Sequence, residues 1–216
     1  MLARILITAV LVATGILAGC GALSKPYPQK TRYAIMLPPS TAPAPSTVPP
    51  RTTDSLCVRA LVVNEPFDGL SLVYRTGPAS FETDYYNTFV APPDRLLTGA
   101  IDQFLSQSGV FAGVFRNETS SNCRYMLEGD VLGLYGDYTD RSKPVAVIKT
   151  RFFFIDDADA AATMLFVRQY ERSEPLSSAD PAALVDGWNK GMVAILQQLT
   201  SDMASALPVG AKSVAK

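Results

Sequence analysis

From Arg124 to Arg172 three consecutive stretches alternate apolar and polar residues with a period of two, and that pattern demands a β-sheet with one apolar face. "RYMLEGDVLGLYGDY" predicts a long strand in which Tyr125, Leu127, Val131 and Tyr135 share a face with Gly129 and Gly133, the glycines marking a bulge or a close crossing of backbone. "PVAVIKTRFFFID" and "ATMLFVRQYER", separated by "DADAA", predict an antiparallel hairpin. Ala146, Ile148, Thr150, Phe152 and Phe154 form its dry face, and Lys149 and Arg151 mark the wet one.

Two stretches switch to the helical period. Leu96, Leu97, Ala100, Ile101, Phe104, Leu105 and Ser108 predict a helix over 95–108, with Asp94 as N-cap and Gly109 as the stop. Asp180 and Pro181 give an N-cap and a favoured first residue to a second helix, whose stripe Leu184, Trp188, Met192, Ile195, Leu199 and Met203 carries it to about Ala204. Gly187 and Gly191 on this helix predict close packing on a sheet rather than a dimer, because GxxxG drives association only in a long apolar span.

Upstream, "YAIML" (33–37) reads as an edge strand, and "LCVRALVV" (56–63) as a strand buried on both faces. "PFDG" turns the chain, and "LSLVYR" alternates Leu70, Leu72 and Tyr74 against Ser71, Val73 and Arg75. A loop "TGPASFETD", a short strand "YYNTFV" stopped by Pro92 and Pro93, and a strand "VFAGVF" complete the inventory. The sum is about seven strands, mostly antiparallel, and two helices, hence an α+β two-layer sandwich with both helices on one sheet face.

The N-terminus has a different job. Arg4 precedes an uncharged run from Ile5 to Ile16, shorter than the ~20 residues of a spanning helix but suited to a signal-peptide core. The "LAGC" that follows, Leu17 to Cys20, resembles the bacterial lipobox at every position, which implies a signal peptide over 1–19 and a diacylglycerol and N-acyl lipid on Cys20. The plainer readings are a secretory signal with a chance cysteine, or an uncleaved anchor. Three acyl chains make a permanent anchor, so Cys20 holds the membrane rather than doing catalysis. Gly21 in place of aspartate implies, in lipoproteins of the enteric kind, export to the outer membrane. Residues 20–32 then form a lipidated tether and 33–205 the domain, interrupted by a Pro-rich loop over 38–55 that includes "PPSTAPAPSTVPP"; 206–216 are a mobile tail.

The formal net charge is −1 and no basic run occurs, so nucleic acid is excluded as a partner. The chain has no histidine, which removes Ser-His-Asp and Cys-His nucleophilic systems and imidazole zinc sites. With Cys20 lipidated in an oxidising compartment, Cys57 and Cys123 form an even pair and predict a disulfide, worth about 4 kcal/mol on the loop-entropy model; two buried thiols are the alternative. Glu128 and Asp130 point the same way on one strand, as a catalytic carboxylate pair would, but a solvated strand face is the better reading. Asp156 to Ala161 lacks the glycine and distal glutamate of a calcium loop and reads as a turn, so neither catalytic nor metal residues are expected. Phe81, Tyr85, Tyr86 and Phe89, in or beside the loop, serve a partner or acyl chain, or more simply the core.

One order of motifs carries a family resemblance. Tyr74 and Arg75 end a strand, Tyr86 and Phe89 lie on the next, Pro92 and Pro93 turn the chain, Leu96 and Leu97 open a helix, and Leu105 to Phe111 close it as "LSQSGVF". With the later "YMLEGDVLGLYGDY" and the lipobox, this resembles the ABC-type transport auxiliary lipoprotein family over nearly all of the mature chain. The Cys57 and Cys123 pair and the length of the Pro-rich loop depart from the family pattern. The resemblance implies no enzyme but an outer-membrane, periplasm-facing subunit of an intermembrane lipid-transport system. Its partner would be a periplasmic protein with mammalian-cell-entry domains, and through it an inner-membrane ABC permease and ATPase; a homo-oligomer stays open. Two other readings remain: a lipoprotein that itself carries a lipid or other hydrophobic ligand, and a surface enzyme using Glu128, Asp130 or the Asp156 cluster.

The lipobox makes a direct expectation for the mature N-terminus. Protein extracted from membranes begins at Cys20 with the added mass of a diacylglyceryl group and an amide-linked acyl chain, whereas Cys20→Ser releases it; an unmodified residue 20 in the mass spectrum refutes the anchor.

Overall fold

The computed structural model describes residues 29–37, 50–116, 123–159 and 161–208. The signal segment, Cys20, the first part of the tether, most of the Pro-rich loop and the end of the tail lie outside the described residues.

The long period-two stretches form one side of the sheet, out to an edge strand. β7 (Tyr125–Asp137), β8 (Val145–Asp156) and β9 (Thr163–Pro175) make two continuous antiparallel ladders. Short strands pair along the other side of β7: β2 (Ser55–Val58) beside Tyr125 to Leu127, β3 (Val62–Val63) beside Asp130 and Val131, and β4 (Ser71–Gly77) beside Gly136 and Asp137, all parallel to it. β5 (Ser80–Phe89) returns antiparallel to β4, and β1 (Thr31–Tyr33) adds in parallel to the end of β5. β6 (Gly113–Arg116) lies parallel to β2. Among the described residues the result is an open nine-stranded sheet in which the long ladders are antiparallel and the short ones parallel.

Both helices cover one face. In α2 (Pro181–Ala206) the side chain of Asp180 accepts the Ala183 N–H at 2.9 Å, and the predicted stripe from Leu184 to Met203 is fully buried. The helix lies close because a Cβ on Gly187 would stand 2.6 Å from the Ala146 Cβ, and one on Gly191 would stand 2.9 Å from Ile148 Cγ2. The Trp188 indole N–H, carried into this contact, donates to the Val147 carbonyl at 3.1 Å. α1 (Pro93–Gln107) covers the other end of the same face, and its Thr98 hydroxyl accepts the Leu61 N–H at 3.1 Å. The inner sheet face, Ala146, Ile148, Thr150, Phe152 and Phe154, is buried as its period predicts.

Several elements differ from their sequence reading, each for a local reason. The edge strand is Thr31–Tyr33, while Ile35 and Leu37 pack into the core from irregular chain, because Asn189 of α2 takes the Met36 N–H that a strand would use. The 56–63 run is two strands, since the Thr98 hydroxyl captures the backbone at Leu61 and leaves Val62 61% exposed. Leu72 and Val73 are both buried while Leu70 is exposed, so the β4 alternation does not hold. The supposed loop before "YYNTFV" is itself β5, which pairs back to β4 from Ser80. α1 starts two residues earlier, on Pro93 after an N-cap at Pro92, and ends at Gln107, with Gly109 at φ 68° past its end. The "VFAGVF" strand is Gly113–Arg116, and Val110 and Phe111 are core. α2 runs on to Ala206, past the predicted end near Ala204, and Leu207 joins the core.

The most informative correction lies in β7. A register shift between Val131 and Gly133 inserts one residue, so Leu134 and Gly136 face inward opposite Ile148 and Ala146, and Gly133 and Tyr135 face outward. Tyr135 thus leaves the face of Tyr125 and Leu127 on which strict alternation places it.

The contact at Gly187 yields a stability test. Gly187→Val drives two methyl groups into Ala146 and should cost about 2–3 kcal/mol, read as a lower urea midpoint at unchanged m-value.

Candidate interaction surfaces

Cys57 of β2 and Cys123, just ahead of β7, are bonded, with Cα atoms 5.5 Å apart. The bridge clips the start of β7 to its parallel neighbour on the sheet face that the helices leave open.

The carboxylates weighed for catalysis stand in ion pairs on that same outward face. Glu128 meets Arg59 at 2.5 Å, and Asp130 accepts Arg151 Nη2 at 2.5 Å and Nε at 3.0 Å. Lys149 and Glu171 pair at 2.9 Å farther along. Asp156 is held at 3.1 Å by Arg124, which also reaches Asp54. These hydrogen bonds and charges hold the Arg124 guanidinium well above its ordinary pKa, against the opposing effect of burial. Each of these carboxylates therefore stands beside a cationic partner, as on a solvated strand face. Among the described residues no cluster of three or more acidic or thiol groups is placed to hold a metal ion.

Register assembles what the sequence does not show. Phe115 stands opposite Cys57, Cys57 opposite Met126, Met126 opposite Ile155, and Ile155 opposite Met164. Residues directly opposed in a ladder point to the same side, so these five form one apolar row across β6, β2, β7, β8 and β9. Phe153 and Val167, paired two positions along, widen it. Phe115, Met164 and Val167 are each close to half exposed. No sequence period reveals this row, because its members come one or two from each strand.

At the other end of the outward face Tyr135 is stacked with Phe67 at 5.6 Å and meets the edge of Phe81 at 5.6 Å, with the Arg75 guanidinium 5.2 Å from its centroid. Arg75 and Asp137, opposed across the β4 and β7 pair, form an ion pair. The hydrogen bond from Arg75, aided by the Thr139 N–H and opposed by burial, lowers the Asp137 carboxyl to about 2.

The four aromatics singled out in the sequence separate. Phe89 is buried against Trp188 at 5.7 Å. Phe81 joins the outward trio, Tyr86 is half-buried and Tyr85 is 63% exposed.

Clefts among the described residues include two beside the helices. One, of about 790 Å³, lies between Arg59, Asp94, Arg95, Thr98 and Arg116; the other, of about 450 Å³, lies between Tyr74, Glu82, Asp84, Tyr138 and Arg141. The first is mainly polar, whereas the second has a largely apolar wall to which Ala179 and Pro181 contribute. Among the described residues no helix is long and apolar enough to cross a membrane.

Among the described residues, the structure is a one-sided α+β sandwich whose second sheet face carries ion pairs and an apolar row. The chain belongs to the ABC-type transport auxiliary lipoprotein component family, whose model matches residues 36–204. Membership makes it a membrane-anchored protein outside the cytoplasm that works with a transporter. Its fold is similar to the crystal structure of protein XCC0632 from Xanthomonas campestris, of the DUF330 family, at TM-score 0.69 and 20% identity, covering 82% of this chain and 96% of that one. A second crystal structure, of an uncharacterized protein, aligns at TM-score 0.63 and 15% identity, covering 81% and 99%. A comparison with curated proteins returns no match.

The depressed Asp137 pKa sets a pH window. Its stabilisation is complete above the unfolded carboxyl value near 4 and is lost as pH falls through about 2. Asp137→Asn should therefore cost on the order of 1 kcal/mol at neutral pH, reduced by the partial exposure of Arg75, and the gap from wild type should close in urea unfolding below pH 2.

Proposed function

We propose that this chain is the tethered docking subunit of an intermembrane lipid-transport system. Acyl chains on Cys20 fix it to the periplasmic face of the outer membrane, and its domain receives a periplasmic mammalian-cell-entry assembly connected to an inner-membrane ABC permease and ATPase. The family supports a transporter as the associate. The observation that carries docking is the apolar row Phe115, Cys57, Met126, Ile155 and Met164, which crosses the sheet on the face without helices. Bordering ion pairs such as Arg59 with Glu128 give it the polar rim that transient interfaces use.

The row and the clefts favour docking over lipid carriage. A carrier needs an enclosed, mainly apolar cavity for an acyl chain, whereas the described inner face is filled to contact distance by α1 and α2, the larger of the clefts described above is mainly polar, and the smaller is open to solvent.

Photo-crosslinking in intact cells tests this reading. A benzophenone amino acid in place of Met164 or Phe115 should capture a mammalian-cell-entry protein, and the same probe at Lys190, on the exposed side of α2, should capture several-fold less. Recovery of no such protein from the outward-face positions overturns the docking role, and phospholipid extracted with the purified domain would favour carriage instead.

A further inference from the structure

β5 is not a regular strand. Between its pairings Thr83 with Val73 and Thr88 with Ser71, β4 advances two residues while β5 advances five. One carboxylate folds the surplus into a knuckle. Asp84 Oδ1 accepts the backbone N–H groups of Tyr86 at 2.8 Å and Asn87 at 2.9 Å. Its Oδ2 accepts the Asn87 amide and the Tyr74 hydroxyl, each at 2.8 Å. Burial pushes the Asp84 carboxyl up, but these hydrogen bonds outweigh it and hold the group below its usual range, so the knuckle stays built at neutral pH.

The knuckle's product is an outward tyrosine. Tyr85, 63% exposed, rests edge-on against Tyr86 at 5.1 Å, and the Lys30 ammonium stands 4.0 Å from its ring centroid. A ring so exposed adds little to the core, yet four hydrogen bonds to a single carboxylate hold its neighbours in place.

The position of the knuckle relative to the chain terminus gives it a use. Lys30 immediately precedes β1, whose Thr31 is in register with Asn87. Ten residues link Cys20 to Lys30, and covalent geometry limits them to about 35 Å. A domain of about 180 residues is roughly 40 Å across. A leash shorter than the body it holds forbids orientations that turn Lys30 away from the bilayer. Tyrosine rings are at home at the level of lipid headgroups, with the ring body in apolar contact and the hydroxyl wet, and an ammonium beside them pairs with phosphates. Arg32, exposed and next along β1, adds a second cation.

We propose that the Tyr85 and Tyr86 knuckle, with Lys30, is a membrane-contact site that seats in the phospholipid headgroup layer of the bilayer to which Cys20 tethers the chain. The site rests on the reading of Cys20 as the anchored end. It turns the β1 and β5 end of the sheet toward the lipid.

The mature chain from Cys20 onward tests this, because the bridge between Cys57 and Cys123 leaves Cys20 as its single thiol. That thiol is coupled to maleimide lipid in vesicles of phosphatidylethanolamine and phosphatidylglycerol doped with a gadolinium-chelate headgroup lipid, and the tyrosines are replaced by 3-fluorotyrosine. The fluorine signal of Tyr85 should relax several-fold faster than that of Tyr170 on β9. The double substitution Tyr85→Ser and Lys30→Ser, which spares the Asp84 network, should return Tyr86 to the slow relaxation of Tyr170. Equal relaxation at Tyr85 and Tyr170 in the coupled wild type overturns the site. Because the coupling supplies the tether chemically, an unmodified Cys20 in the native protein would refute the anchor without changing this readout.

Discussion

At Gly187 and Gly191 helix α2 comes down onto β8 with no side chain between them, so that the Ala146 and Ile148 side chains touch helix backbone. That approach seats Trp188 against the sheet and allows the stripe from Leu184 to Met203 to be sealed completely. Burial of this kind is the dominant favourable contribution to a fold, and here it is concentrated on one side of the sheet. The β7, β8 and β9 ladders gain their inner neighbours from it, and β2, β3 and β4 pair in parallel along the other side of β7.

A core on one face leaves the other face to be managed by different means. Ion pairs through Arg59, Arg151 and Lys149 hold its middle, an aromatic trio around Tyr135 closes one end, and the apolar row ending at Phe115 and Met164 occupies the other. The chain is a transport auxiliary lipoprotein component, and the docking proposed for it draws on this division of the sheet. The outward row and the Tyr85 knuckle lie in different parts of the sheet, so the two attachments proposed for them do not compete for the same strands.

Much of the architecture was legible because it depends on neighbours in sequence. The hairpin of β8 and β9, the burial of Thr150 with its apolar neighbours, the capping of α2 by Asp180 and the left-handed stop at Gly109 all follow from local periods and backbone preferences. The failures have a common cause. Strict alternation put Tyr135 on the inner face, and a single inserted residue after Val131 turned it out. An apolar run read as one strand at 56–63 broke where the hydroxyl of Thr98, distant in sequence, captured the Leu61 N–H. The segment taken as a loop before Tyr85 proved to be strand, since β4 was there to pair with it.

By itself, then, the sequence determined the element types, the dry face of each long strand, the two helices on one side and the family, because periodicity, capping and motif order are properties of a local stretch. Only the tertiary structure decided register, and with it the five-strand apolar row, the outward aromatic trio and the carboxylate-built knuckle at Tyr85. The physical reason is that hydrogen-bond ladders between distant strands select partners by the packing of the whole core. A shift of one residue exchanges the two faces of a strand without altering a single letter of its pattern.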